Sequence, residues 1–208
     1  MKNLFDNDLC HVGNKALHLN FLHKEGFNVK PGFVLTSKEV DIDIPFENSV
    51  VRSNGLGEDA ECSFSGIFRS ILHVTSEGMN DAIDFVWLSF DSKKYHAYKE
   101  IKGCEVQPGI LIQEKVESKY SAVAHVFDDK LYIEHNQGYC SAIVSGVITP
   151  LSINLTNATD ITHYKTDVKF NELVNILRKI KSYYKNPQEV EMTFDGNLWW
   201  VLQTKDLK

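Results

Sequence analysis

EVEMTFDGNLWWVLQTK, residues 189–205, reads as two strands joined at Asp-Gly-Asn, a hairpin signal flanked by alternating apolar and polar residues. Glu189 and Glu191 lie two apart and share a face, as do Gln203 and Lys205 on the returning strand. Whether the two pairs share one face depends on register. A two-residue Asp195-Gly196 turn sets Glu191 beside Trp200 and turns Gln203 away. A three-residue Asp195-Gly196-Asn197 loop sets Glu189 opposite Gln203 and Glu191 opposite Val201, with all four polar side chains together. The other face then carries Val190, Met192, Phe194, Leu198, Trp200 and Leu202, a continuous apolar surface suited to a core. Such a polar face offers oxygen ligands for Mg²⁺ and an amine for phosphate; a solvated outer face of an edge hairpin is the plain alternative.

Outward from this hairpin, residues 171–184 carry Leu173, Val174, Ile176, Leu177 and Ile180 at helical spacing. Arg178 sits there with Lys179 and Lys181 just after it and is expected in solvent. Upstream, SAIVSGVI, KLYIEHN and SAVAHVF read as strands, the last two joined at Asp128-Asp129, and GILIQEKV gives an apolar strand from Ile110 to Val116. The first half offers a helix from Asn14 with Ala16, Leu17, Phe21 and Leu22 on one face, stopped at Gly26. Short strands follow at Phe33–Leu35 and Ser49–Ser53, a third at IFRSILHV, and one helix from about Met79 to Tyr98. Helices beside strands in two halves give an α+β class with two lobes of mixed or antiparallel sheet, residues 1–107 and 108–208, and a cleft between them.

The chain has 208 residues, 43% hydrophobic and 24% charged, with net charge −6, which is globular and lacks the basic excess of a nucleic-acid binder. No apolar run approaches the roughly 20 residues of a membrane span. The first ten residues carry acids and no apolar core of a secretory signal, so a soluble, cytoplasmic protein is expected. Cys10, Cys62, Cys104 and Cys140 have no zinc spacing and are expected to stay reduced.

Two features point to anions. Only three arginines occur, Arg52, Arg69 and Arg178, against nineteen lysines, and the first two bracket a stretch holding Gly55, Gly57 and Gly66. Arginine forks and glycine-exposed amides suit phosphate, although an ordinary surface loop has the same composition, and no GxxxxGK[ST] is present. Lys15 stands in the first turn of the first helix, where the macrodipole disfavours a cation by a few tenths of a kcal/mol. A bound anion, or fraying, accounts for it.

VGNKALHLNFLHKEGFNVKPGFVLT, VRSNGLGEDAECSFSGIFRSILHV, ILIQEKV, QGYCSAIVSGVITP and EVEMTFDGNLWWVLQTKDL occur in this order across nearly the whole chain. Together they resemble the ATP-binding N-terminal domain of the phosphoenolpyruvate synthase and pyruvate phosphate dikinase family, an ATP-grasp-type domain also found in rifampin phosphotransferase. The resemblance implies an ATP-grasp fold with a nucleotide cleft, and an Mg·ATP-dependent phosphotransferase. In that family a phosphoryl or pyrophosphoryl group passes to a histidine on a carrier domain and then to a small acceptor.

Carried onto this sequence, the resemblance implies Lys15 and Arg52 at the triphosphate, with Ser63, Phe64, Ser65 and Gly66 folding over it. Gln113, Glu114 and Val116 meet the adenine, Glu191 and Gln203 ligate Mg²⁺, and Glu189 lies near the ribose or metal. Lys15, Arg52 and Lys205 are the implied catalytic cations. The twelve-residue separation of Glu191 from Gln203 matches the family and favours the three-residue loop. Two positions depart from the pattern: Lys205 stands for an arginine, and Ser141 for an acid. None of the eight histidines lies in a context resembling the carrier motif, so the carrier is expected on a partner chain or a missing segment. A non-catalytic nucleotide-binding module and a stand-alone metabolite kinase are the competing readings.

Overall fold

A computed structural model describes residues 1–38, 42–58, 64, 66–156, 159 and 168–207. The chain divides into two compact units, Met1–Phe21 with Lys30–Lys115, and Leu22–Val29 with Val116–Lys208. The boundary expected at 107/108 therefore moves. Strand Ile110–Glu114 belongs to the first unit because it is the middle of that unit's sheet, not the start of the second.

The first unit holds β1 (Lys2–Asn3), β2 (Gly32–Leu35), β3 (Ser49–Ser53), β4 (Ser70–Val74) and β5 (Ile110–Glu114), in the order β1-β2-β5-β3-β4. All pairings are antiparallel. Central β5 has Ile110, Leu111 and Ile112 fully buried, which explains its unbroken apolar run. Helix α1 (Asn14–Lys24) ends at Gly26, whose φ of +82° is the left-handed stop the sequence called for. Its buried side chains are Ala16, Leu19, Asn20 and Leu22; Phe21, expected inside, is exposed, while Leu19 takes the inner position. Asn20 tolerates its burial by donating to the Leu4 carbonyl at 2.6 Å.

The expected long helix is two: α2 (Met79–Trp87) and α3 (Lys93–Lys102), separated by a short 3₁₀ segment, Leu88–Asp91. Ser92 causes the break, because its backbone is extended and its hydroxyl accepts from Tyr95 N, capping α3. Met79, Ala82, Ile83 and Val86 of α2 join Leu35, Val51, Ile110 and Ile112 in one core.

The second unit holds β6 (Tyr120–Val126), β7 (Lys130–Gln137), β8 (Leu151–Thr156), β9 (Gln188–Phe194) and β10 (Trp199–Asp206), antiparallel in the order β10-β9-β6-β7-β8. SAIVSGVI is not a strand. Its start forms α4 (Cys140–Val144), since Ser145 N reaches back to Ser141 O at 3.0 Å and Cys140 and Ile143 bury one face. Helix α5 (Phe170–Ser182) lays Leu173, Val174, Leu177 and Ile180 inward and packs on β6. Arg178 is not simply solvated, because its Nη2 donates to the Thr156 carbonyl at 3.2 Å. Lys181 is buried and donates to Asp128 at 2.7 Å and to the Tyr184 carbonyl at 2.9 Å.

Cys10 and Cys140 stay reduced, as expected, but Cys104 is disulfide-bonded. Sequence separation sets no limit on which thiols a fold brings together. Cys62 lies outside the described residues. No helix among the described residues is long and apolar enough to cross a membrane.

Candidate functional site

In the first unit, the site begins where β3 runs out beside the start of α1. Asn54 Oδ1 accepts from Ala16 N at 3.0 Å and so caps the helix from outside it. That approach requires Gly13: a Cβ there would stand 2.4 Å from the Asn54 carbonyl oxygen. Lys15, one residue into α1, reaches Glu58, and the two side chains are only 11% and 7% exposed. Glu58 Oε1 also accepts from Ser53 Oγ at 2.9 Å, and Oε2 accepts from Gly55 N at 3.0 Å. The first-turn cation therefore has an anion supplied by the chain itself.

Arg52 is half-buried on β3, opposite Leu111 of β5 and Ser70 of β4. Phe64 is 1% exposed and packs against Phe68, Tyr95 and Tyr98 at ring separations of 5.6, 6.0 and 5.1 Å. Gly66 has φ +71°, and its carbonyl accepts from Lys94 Nζ at 2.7 Å. Ser63 and Ser65 lie outside the described residues. At the end of β5, Gln113 Nε2 donates to the Lys30 carbonyl at 3.1 Å, and Glu114 pairs with Lys30 Nζ at 2.8 Å. Val116, which opens the second unit, is 7% exposed.

In the second unit the terminal hairpin adopts neither expected register. Phe194 pairs with Trp199, leaving residues 195–198 as the connection. Asp195 sets this turn: its Oδ1 accepts from Asn197 N at 2.7 Å and Leu198 N at 2.8 Å, and its N donates to the Leu198 carbonyl at 3.2 Å. Gly196 takes φ +103°, which L side chains rarely adopt. Val201 pairs with Met192, then a bulge between Val201 and Gln203 sets aside Leu202. Gln203 thereby pairs with Glu191, and Lys205 with Glu189. The expected partners, Gln203 for Glu189 and Val201 for Glu191, are corrected by that one-residue shift. The shared polar face survives it, because directly paired residues leave the same side of the sheet.

The core face is corrected too. Val190, Met192, Phe194, Trp199 and Val201 are buried, while Leu198, Trp200 and Leu202 are only half-buried. Trp200 Nε1 donates to Asp195 Oδ2 at 2.8 Å, which gives that ring a reason to leave the core. Beyond β10 the edge is covered by Asn28, whose carbonyl accepts from Val201 N at 2.9 Å and whose Nδ2 donates to the Trp199 carbonyl at 3.1 Å.

Strand β6 completes the polar face, with Val123 paired to Glu191 and His125 to Glu189. Glu189 is held between Lys205 Nζ at 2.8 Å and His125 Nε2 at 3.5 Å. Among the described residues no three His, Cys, Asp or Glu side chains cluster around a metal position. What the face offers is a carboxylate, Glu191, directly beside an amide oxygen, Gln203. That donor set fits Mg²⁺, which keeps waters and substrate phosphates as its other ligands.

Glu58 and His125 were not singled out from the sequence. His125 gives no signal in the linear pattern. Glu58 gives one: it stands three residues after Gly55, the spacing at which a carboxylate reaches back to an amide, as in a capping box.

Comparison with known proteins gives the family and the fold. Residues 40–169 match the family model described as pyruvate phosphate dikinase, AMP/ATP-binding domain. The chain is 31% identical over 214 residues to the uncharacterized phosphotransferase YvkC of Bacillus subtilis (strain 168), covering 83% of this chain and 26% of that protein. It is 29% identical over 147 residues to pyruvate, phosphate dikinase of Rickettsia typhi (strain ATCC VR-144 / Wilmington), covering 64% of this chain and 16% of that one. It thus spans about a quarter or less of these relatives. Among solved structures, the dinucleotide-forming acetyl-coenzyme A synthetase 1 of Ca. Korarchaeum cryptofilum aligns with TM-score 0.59 at 10% identity, over 95% of this chain and 94% of that one. The D-alanine–D-alanine ligase of Bacillus anthracis, complexed with ATP, aligns with TM-score 0.50 at 14% identity, over 93% and 54%. These likenesses carry the fold alone, and it is the α+β, ATP-grasp-like fold that the sequence led us to expect.

Proposed function

This chain belongs to the pyruvate phosphate dikinase AMP/ATP-binding domain family, and from that premise we propose that it binds Mg·ATP and is the ATP-using part of a phosphotransferase. The reaction is transfer of a phosphoryl or pyrophosphoryl group from ATP to a histidine of a carrier domain, on a partner chain or a further segment. From there the group goes to a small acceptor. The observation that carries the reading is the hairpin row, in which Glu191 stands against Gln203 and Glu189 against Lys205 on one sheet face. Two oxygen donors side by side, with an ammonium two residues along the same face, are the groups a metal–phosphate site uses.

Glu191 and Gln203 are the residues that would hold Mg²⁺. When bound, the ion neutralises charge on the phosphate oxygens. The chain's own part is placement. Phosphoryl transfer depends on alignment and charge neutralisation and needs no strong base, which suits a set of cations and oxygen donors. Arg52 presents a planar donor fork and Lys15 an ammonium for the triphosphate, with Ser63, Phe64, Ser65 and Gly66 as the loop over it. Gln113, Glu114 and Val116 are assigned to the adenine, and Glu189 to the ribose or metal.

Calorimetry with ATP, with and without Mg²⁺, is the first test, followed by transfer from γ- and β-labelled ATP to an added carrier domain. Label on the carrier histidine supports the reading, and release of ADP or AMP tells phosphoryl from pyrophosphoryl transfer. No heat of binding at millimolar Mg·ATP from the folded protein refutes it. One observation favours a second reading, a non-catalytic nucleotide-binding module: Lys205, where the family has arginine, is paired to Glu189 at 2.8 Å. Tight ATP binding without transfer to any carrier selects that reading.

A further inference from the structure

We infer that Glu58 is the positioning residue of the first unit's phosphate site, holding the Lys15 ammonium where a nucleotide triphosphate is to meet it. The inference deepens the role proposed above for Lys15 and rests on it.

Glu58 is a glutamate 6% exposed, a placement carboxylates avoid unless each oxygen is paired. Here both are. Oε1 receives Lys15 Nζ and Ser53 Oγ, and Oε2 receives Gly55 N. Each partner stands on backbone held by secondary structure or by tight packing. Ser53 ends β3 and Lys15 sits on α1, while a Cβ on Gly55 would stand 2.3 Å from Val106 Cγ1, so that turn is packed tight. The Glu58 carbonyl also accepts from Phe64 N at 3.3 Å, and Phe64 is locked among aromatic rings. A single residue therefore joins the start of α1, the end of β3 and the far side of the glycine-rich stretch.

That connection matters for a lysine, whose long stem otherwise leaves its charge mobile. An ammonium has three donors, so one can stay on Glu58 while the others meet phosphate oxygens. Ser53 Oγ and Gly55 N keep the carboxylate in place in either state, so phosphate need not displace it. A lysine anchored by a glutamate while it holds phosphate is the arrangement that protein kinases require for activity.

The test is a double-mutant cycle with Glu58→Gln and Lys15→Ala, read as affinity for ATP and, by displacement of a fluorescent nucleotide, for adenosine. The amide that Glu58→Gln introduces can still accept from Gly55 N but has no charge to pair with an ammonium. Glu58→Gln should weaken ATP about tenfold, leave adenosine unchanged, and add nothing in the Lys15→Ala background. ATP bound as tightly as by wild type, or more tightly, while Lys15→Ala weakens it, overturns the inference and leaves the role of Lys15 standing. If Lys15→Ala itself leaves ATP affinity unchanged, the role of Lys15 falls and this inference with it. Should Glu58→Gln fail to fold, Ser53→Ala removes one contact to Oε1. An ATP-specific loss smaller than that of Lys15→Ala supports the inference, and no loss overturns it.

Discussion

Each unit pairs a lysine with a glutamate at its candidate site, and the two pairs live in different surroundings. Lys15 and Glu58 are 11% and 7% exposed, and Glu58 has both oxygens paired, to Lys15 and Ser53 Oγ on one side and to Gly55 N on the other. Lys205 and Glu189 are 29% and 19% exposed, on the open face of a sheet with His125 as a further partner. A buried charge without its partner is stranded in a poor solvent, whereas a partly exposed one is rehydrated. The first pair is thus part of the fold as well as of the site; the second is closer to a surface arrangement that ligands can rearrange.

Stability measurements sharpen this difference most. Glu58→Ala should cost about 3–5 kcal/mol by denaturant unfolding, because it removes the buried carboxylate that pairs with the Lys15 ammonium and accepts from the Ser53 hydroxyl and the Gly55 amide. Lys205→Ala should cost about 1 kcal/mol or less. Equal losses would erase the distinction.

Affinity gives a smaller contrast within the arginines. Arg52→Ala should weaken ATP about tenfold or more, the value of a charge-assisted phosphate contact of roughly 1.5–3 kcal/mol. Arg178→Ala should leave ATP affinity unchanged and lower only the melting temperature, since its guanidinium holds the Thr156 carbonyl at the end of β8. Titration calorimetry showing matched effects would return the glycine-rich stretch to an ordinary loop.

The smallest expected effect is a pH dependence in the second unit. Burial holds the His135 imidazole below its ordinary 6.5, and its Nδ1 is 2.6 Å from the Tyr120 hydroxyl, itself pushed above 10 by burial. The folded chain binds that proton less readily than the unfolded chain does. The neutral ring's contribution is therefore full above about pH 6.5 and is lost as pH falls from there. Melting temperature should drop between pH 7 and pH 5 more in wild type than in His135→Gln; identical profiles would remove His135 from the account.

Much of this architecture was legible in the sequence. Gly26 as a helix stop, the Asp128-Asp129 turn, the helix at residues 170–182 and the apolar run of β5 follow from local chemistry that nothing in the fold overrides. What was not legible depends on neighbours. Central placement of β5 is a pairing choice, and SAIV turns helical although its residues suit a strand. The hairpin register escaped because two departures cancel: Asp195 lengthens the turn, and the bulge at Leu202 restores the face. Lys15 taught the sharpest lesson, since its place at a helix start left a bound anion and a frayed end open, and neither reading points to Glu58, 43 residues away.

The central claim, that Glu191 and Gln203 act together on a metal-bound nucleotide, is tested most directly by the Mg²⁺ dependence of ATP affinity. For wild type, calorimetry across a Mg²⁺ series should show ATP binding that tightens as the ion is added. Glu191→Ala and Gln203→Ala should each abolish most of that dependence while leaving Mg²⁺-free ATP binding within about twofold, a difference of roughly 0.4 kcal/mol. Full Mg²⁺ dependence retained in both variants would contradict the account.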